Sequence, residues 1–220
     1  MKNKIVLIIL FVLPIVVYLI FATAKHNSMF LPKIKKASEL PINWQNNESD
    51  VVKLKDKITI LGFPGKNIIN NKPNFFNLNQ KIYNKYKDFH DFQMVMIVPF
   101  GCEAQVNKVM NDFSRITGKS MNKWKFIFAK PEEIATYFKT FNFKNSLDEN
   151  LGTTLVYIID KDVYLRGRSG KNKKGTEEYK ESYNTISAAE LHNEMTDDVK
   201  ILLREYRLAL KKNKDLKRNK

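Results

Sequence analysis

A single cysteine, Cys102, and three histidines, His26, His90 and His192, are all the thiol and imidazole this chain holds. That scarcity excludes an intrachain disulfide, a CxxC redox pair and a cysteine-rich zinc site. The histidines are far apart in sequence and none shows His-x-x-His spacing, so a metal centre would need remote residues to converge. No metal or other cofactor is expected. Acid is also in short supply, with 23 Asp and Glu against 38 Lys and Arg, a formal charge of +15. Such an excess raises nucleic acid or anionic lipid as partners. Lysine and asparagine are nevertheless spread over the whole chain, and no Arg-rich stripe with interleaved aromatics appears, so nucleic acid is not the expected partner. No internal repeat is visible.

What is present is apolar. A content of 43% hydrophobic and 12% aromatic residues suffices for a packed core in a chain of 220 residues, which excludes disorder throughout. Part of it is concentrated in Ile5–Ala24, IVLIILFVLPIVVYLIFATA. A run of about 20 uncharged residues matches the thickness of a bilayer, and a mid-span proline such as Pro14 is tolerated there. Ala22-Thr23-Ala24 also fits a signal-peptidase site, which would give a secreted product cleaved near Ala24. The apolar core Ile5–Phe21 is longer than the usual signal-peptide core of about 7–15 residues, favouring an uncleaved anchor. Lys2 and Lys4 abut the span on one side and Lys25 on the other, with Lys33, Lys35 and Lys36 further on. The charges that abut the span favour a cytoplasmic amino terminus and a domain outside the cytoplasm.

The expected organisation is a signal-anchor over residues 1–24, a polar tether over 25–53, one domain over 54–212 and a basic tail over 213–220. The tether holds Pro32 and Pro41 and has no sustained period; Ile42 and Trp44 are candidates to dock on the domain. From Ile58 a regular alternation begins. Ile58–Phe63 reads as a strand closed by Pro64-Gly65, and Phe75, Leu78, Ile82 and Tyr86 place a helix over Pro73–Tyr86. Phe92–Val98 is a near-continuous apolar strand, as expected where both faces are covered. Val106, Val109, Met110, Phe113 and Ile116 mark a second helix stopped by Gly118, and Trp124–Phe128 a third strand. Pro131 followed by Glu132 and Glu133 suits a helix first turn, with Ile134, Tyr137, Phe138 and Phe141 as its buried face. Thr154–Asp160 and Val163–Arg168 form a hairpin through Asp160-Lys161-Asp162. Gly167–Tyr183 reads as a charged loop. Ser187-Ala188-Ala189-Glu190 fits a capping box that opens the longest helix. The order β-α-β-α-β-α-β-β-α predicts an α/β domain with a thioredoxin-like mixed sheet flanked by helices.

Three segments carry a family likeness: LKDKITILGF at residues 54–63, WKFIFAKPEEIATYFKTFNF at 124–143 and LVYIIDKDVYLRGR at 155–168. Through them the chain resembles, over roughly Leu54–Lys212, the Sco-type branch of the thioredoxin-like superfamily. The resemblance implies a membrane-tethered protein facing the periplasm or intermembrane space. It also implies copper held by a C-x-x-x-C loop and a later histidine, and a part in cytochrome oxidase assembly. The residues depart from that pattern where it matters. Pro64–Pro73, PGKNIINNKP, has no cysteine, and Leu151–Leu155, LGTTL, has no histidine. Copper(I) needs soft thiolate ligands, and disulfide exchange within a chain needs a second sulfur, so neither copper binding nor dithiol chemistry is expected.

Parallel strands put their carboxyl ends on one edge, the usual place for ligands in open α/β sheets. The resemblance implies that the family's site lies on this edge, so the candidate binding residues are Pro64, Gly65, Lys66, Asn67, Phe100, Cys102, Gly152 and Thr153, with an envelope protein as the expected partner. Cys102 precedes the second helix, whose dipole would lower its pKa, although Glu103 opposes a thiolate. A one-cysteine peroxidase or reductase using Cys102 is the enzymatic alternative. Glu177-Glu178, in a solvated loop, and Asp197-Asp198, on a helix surface, are not expected to do acid–base work. Gly62–Lys66 lacks the spacing of a phosphate loop.

Overall fold

The computed structural model describes residues 10–18, 30–46, 51–117, 121–171 and 175–218. Among the described residues ten strands are present: β1 (Lys33–Lys36), β2 (Gln45–Asn46), β3 (Ile58–Pro64), β4 (Phe92–Pro99), β5 (Trp124–Ala129), β6 (Gly152–Ile159), β7 (Tyr164–Arg166), β8 (Arg168–Lys171), β9 (Glu177–Lys180) and β10 (Tyr183–Asn184). The main sheet has the order β1-β7-β6-β3-β4-β5-β2, with β10 added on β6. β3, β4 and β5 are parallel neighbours, and β6 lies antiparallel to β3. Among the described residues four helical segments flank the sheet. Helix α1 begins as Lys72–Leu78, passes through a π-helical turn at Asn79–Tyr83 and ends as Asn84–Tyr86. Helix α2 is Glu103–Thr117 and α3 is Pro131–Thr140. Helix α4 begins as Ala188–Glu190, has a π-helical turn at Leu191–Met195 and continues as Thr196–Arg218.

The period-two rule of a strand divides the core into two. Ile58, Ile60, Met94, Met96, Val98, Phe126, Val156 and Ile158 point to one face, where α1, α2 and α4 bring Phe75, Ile82, Val106, Phe113, Leu191 and Leu202. Leu61, Phe63, Val95, Ile97, Ile127, Tyr157 and Ile159 point to the other, covered by Ile134, Tyr137 and Phe138 of α3. Helices on both faces explain why β3 and β4 are buried along their whole length. A strand sequence with no polar face, such as FQMVMIVP, fits nowhere else. The connections β3-α1-β4-α2-β5 put both crossover helices on the same side, as right-handed parallel units require.

Pro131 opens α3 and Glu133 returns its carboxylate to the Lys130 amide. Ser187 caps α4, its hydroxyl accepting from the Glu190 amide at 3.2 Å. Asp160 builds the β6–β7 turn, one carboxylate oxygen accepting from the amides of Asp162 and Tyr164, each at 2.9 Å. Its other oxygen takes the Arg166 guanidinium at 2.8 Å, with both side chains buried. Arg166 also donates to the Leu31 carbonyl at 2.9 Å and to Glu205 of α4, so one cation joins the turn, the N-terminal strand and the last helix.

Three sequence expectations are corrected. The stretch read as a tether supplies both edges of the sheet: β1 pairs with β7 and β2 with β5. Leu31, Ala37 and Leu40 are buried, and the Glu39 carboxylate accepts from the amides of Leu54 and Lys55 at 2.6 and 2.8 Å. Trp44 docks edge-on against Tyr137, with ring centroids 5.1 Å apart, whereas Ile42 is exposed. The charged loop before α4 contains a second, two-stranded sheet, β8–β9, and β10. Ion pairs hold it to α4, Arg168 to Asp198 at 2.8 Å and Lys180 to Glu190 at 2.7 Å. Burial works against the Arg168 charge, but Asp198 and Glu178 more than offset it and hold its pKa above the ordinary range. Gly167 is required where this hairpin leaves β7, because a Cβ there would lie 2.1 Å from the Lys180 carbonyl oxygen. Asp198, expected on a helix surface, is 2% exposed and accepts from Arg168 and from the Tyr183 hydroxyl at 2.6 Å. Burial, only partly countered by these donors, pushes its pKa up.

Residues 10–18 of the expected membrane segment form a helix with exposed side chains; the rest of Ile5–Ala24, and Gly118, lie outside the described residues. Among the described residues no helix is long and apolar enough to cross a membrane.

Candidate functional site

The carboxyl ends of β3, β4 and β5 share one edge of the sheet, and three loops meet there. The first leaves β3 at Pro64, whose register partner across the sheet is Gly152 of β6. Gly65 then turns the chain with φ +71°, and a Cβ on it would lie 2.6 Å from the Asn150 carbonyl oxygen and 2.8 Å from Gly152. Only glycine allows both the dihedral and the close approach. The contact is locked by the Lys66 amide, which donates to the Asn150 carbonyl at 3.0 Å. Asn71 closes the loop, its side-chain amide donating to the Pro64 carbonyl at 2.7 Å. Ile68 turns into the core, leaving Lys66, Asn67, Ile69 and Asn70 exposed.

The segment before β6 is shaped by Asp148. Its carboxylate accepts from the amides of Asn150 at 2.9 Å and Gly152 at 2.7 Å, and its own amide donates to the Gly152 carbonyl at 2.9 Å. This tight turn holds Leu151 at φ +59°, a region that branched side chains rarely occupy. Thr153 is half-buried and its hydroxyl accepts from the Leu155 amide at 3.2 Å.

The third loop follows β4. The Phe100 amide donates to the Ala129 carbonyl at 3.0 Å, so the loop is pinned to the end of β5 while the Phe100 ring is 42% exposed. Gly101, at φ +90°, leads to Cys102, whose carbonyl accepts the Val106 amide at 2.9 Å at the start of α2. The Cys102 thiol is 4% exposed and reaches across to the Lys66 carbonyl, with Sγ 3.8 Å from the oxygen. All eight candidate residues sit on one edge, in three settings. Pro64, Gly65, Cys102 and Gly152 are buried and fasten the loops together, Thr153 is half-buried, and Lys66, Asn67 and Phe100 face outward.

The acidity of the thiol runs opposite to the lowering expected from the helix dipole. Burial pushes its pKa above the ordinary value, Glu103 pushes it further, and Lys66 opposes them without prevailing. The helix amino terminus therefore does not produce a thiolate here, and a buried protonated thiol is a poor nucleophile. The described histidines are remote. His90 is exposed beside Asp91 at the start of β4, on the opposite edge, and His192 lies against Lys85 on α1. His26 is outside the described residues. Among the described residues no group of three His, Cys, Asp or Glu could hold a metal ion.

No protein-family model and no curated protein matches the chain. Solved structures do. One is a SCO1/SenC family lipoprotein from Bacillus anthracis str. Ames, 18% identical, with 77% of this chain and 95% of that chain covered at a TM-score of 0.50. Another is BsSco, a member of the Sco family of cytochrome c oxidase assembly proteins in which a disulfide switch has been identified; it is 15% identical, with 78% and 95% covered at a TM-score of 0.52. The chain shares the thioredoxin-like fold of these structures. Within this frame, the loops at the sheet edge are closed by backbone hydrogen bonds and one buried thiol.

Two features of the edge are added by the structure. Ile69, 40% exposed, adds a second apolar side chain beside Lys66 and Asn67. On the other flank, a cavity of about 480 Å³ lies between α3 and the Asp148 turn, lined by Phe138, Phe143, Leu147 and Leu151 among others. The segment Asp148–Gly152, DENLG, held the signal for the turn: an Asp side chain commonly bonds the backbone amide two residues on, as Asp148 does with Asn150.

Proposed function

We propose that this chain is a non-catalytic, membrane-anchored accessory protein that recognises another envelope protein through the edge formed by Pro64–Asn71, Phe100–Cys102 and Leu151–Thr154. One observation carries the reading. The loops converge on a buried, protonated thiol that has no second cysteine in the chain and no described imidazole within reach. What the edge offers outward is shape, with Phe100 and Ile69 as apolar anchors and Lys66 and Asn67 as polar rim. Exposed aromatic side chains on rigid backbone are the usual centres of binding energy in interfaces. The uncharged run Ile5–Phe21 supports a single-pass anchor in the cytoplasmic membrane with the domain on the periplasmic side. The partner is expected among factors that assemble envelope or respiratory complexes.

The test is a photo-crosslinking residue at Phe100 in the full chain, irradiated in intact cells. A discrete adduct that disappears with Ile69→Asp supports the edge as the contact surface; no adduct, or one that Ile69→Asp leaves unchanged, rejects it. A copper titration and dimedone labelling after peroxide test the absence of chemistry. Near-stoichiometric copper(I), or brisk labelling lost in Cys102→Ser, would replace recognition with metal or thiol chemistry.

A further inference from the structure

Helix α4 does not stop where its packing stops. Val199 and Leu202 are buried and Leu203 and Tyr206 partly so, but Leu208 is already 41% exposed, and the helix continues to Arg218. From Arg207 the sequence carries seven basic residues, Arg207, Lys211, Lys212, Lys214, Lys217, Arg218 and Lys220, against one acid, Asp215. Within the helix, Arg207 and Lys211, and Lys214 and Arg218, are four apart, and Lys211, Lys214 and Lys217 three apart, spacings at which like charges destabilise a helix. A helix gains its stability chiefly by packing a face. These last turns therefore suit a counter-surface of negative charge.

The direction of the helix says which pole meets that surface. It starts near the site edge, where Thr185 donates through amide and hydroxyl to the Thr154 carbonyl at 2.9 and 2.7 Å. It leaves at the opposite edge, where Tyr206 lies under Lys161 of the β6–β7 turn, with the Lys161 ammonium 5.4 Å from the ring centroid. Arg166 bonds both Leu31 and Glu205, so the chain from the apolar N-terminal run joins the domain beside this same helix.

We infer that the basic end of α4 lies on anionic phospholipid headgroups of the bilayer that holds the N-terminal run, turning the loop edge away from the membrane toward partners. This rests on the anchored reading above, and electrostatic attraction of basic residues to anionic lipid, about fivefold per charge, is its physical basis. Amide hydrogen exchange on the full chain tests it, with vesicles of phosphatidylcholine alone and of phosphatidylcholine with phosphatidylglycerol in equal parts. Exchange over residues 207–218 should slow at least about tenfold on the anionic vesicles only. It should return to the neutral-vesicle rate in high salt and in Lys211→Gln/Lys212→Gln/Lys214→Gln. Equal exchange on both vesicles overturns the inference, as does slowing by added RNA but not by anionic lipid. Flotation with the neutral vesicles reports the anchor separately, so loss of the anchor and loss of the helix contact are told apart.

Discussion

Replacing Gly65 by alanine should open the loop edge without touching an exposed residue. The added methyl meets the Asn150 carbonyl oxygen at 2.6 Å and Gly152 backbone atoms at 2.8 Å, all of them main chain. Neither can swing away as a side-chain tip would, so the Asp148 turn must shift. The backbone at φ +71° costs a non-glycine residue about 1–2 kcal/mol. Loss of the Lys66 to Asn150 hydrogen bond adds about 1 kcal/mol. The sum, about 2–3 kcal/mol, should appear as a lower urea midpoint at unchanged slope. Hydrogen exchange at the Lys66 amide should accelerate, and the Phe100 crosslink should weaken. A change below about 0.5 kcal/mol with the Lys66 amide still protected would refute the claim that this glycine fastens the edge.

Arg166→Met should cost about 3–5 kcal/mol in urea unfolding, because it leaves Asp160 buried without its cation. Adding Asp160→Asn should recover part of the loss, and additive losses would show the two are uncoupled. Asn79 is fully buried in the π-helical turn of α1 with neither side-chain polar atom partnered. Asn79→Leu should therefore raise Tm, and a fall would reveal a hidden partner. Burial alone would raise the pKa of Glu181, but the Lys144 amide, the Tyr179 hydroxyl and Lys35 hold it below the ordinary 4.5. A depressed carboxylate contributes stability that is full above its unfolded pKa and is lost as pH falls through the folded value. Urea midpoints should accordingly drop in acid below about pH 4.5, and more steeply in the native chain than in Glu181→Gln; parallel curves would contradict the assignment.

Strands with unmistakable composition were legible in the sequence. β3, β4 and β5 are apolar on both faces, and α2 and α3 repeat their buried residues at helical spacing, so the alternation and the loop edge both followed. The edges did not. β1 reads KIKK and β2 is two residues long, because a sheet margin is safest when short and charged, which is also how a linker reads. β8 and β9 are held by ion pairs between residues distant in sequence, such as Arg168 with Asp198, and local periodicity carries no trace of that. At the site, Gly65 was legible as a turn, but its fit against Asn150 depends on the β3–β6 register. The Cys102 environment depended on where the Lys66 carbonyl came to rest.

Because β1 and β2 arise from a single short stretch ahead of β3, that stretch acts as a strap buckled at both margins of the sheet. Traction on the chain from its N-terminal side would load the β1 buckle and Arg166 first, peeling pairs one at a time. The β2 margin and the loop edge lie beyond it along the strap and would feel the force last. Under such a pull the sheet would give way at the margin nearest the applied force while the rest of it stays intact.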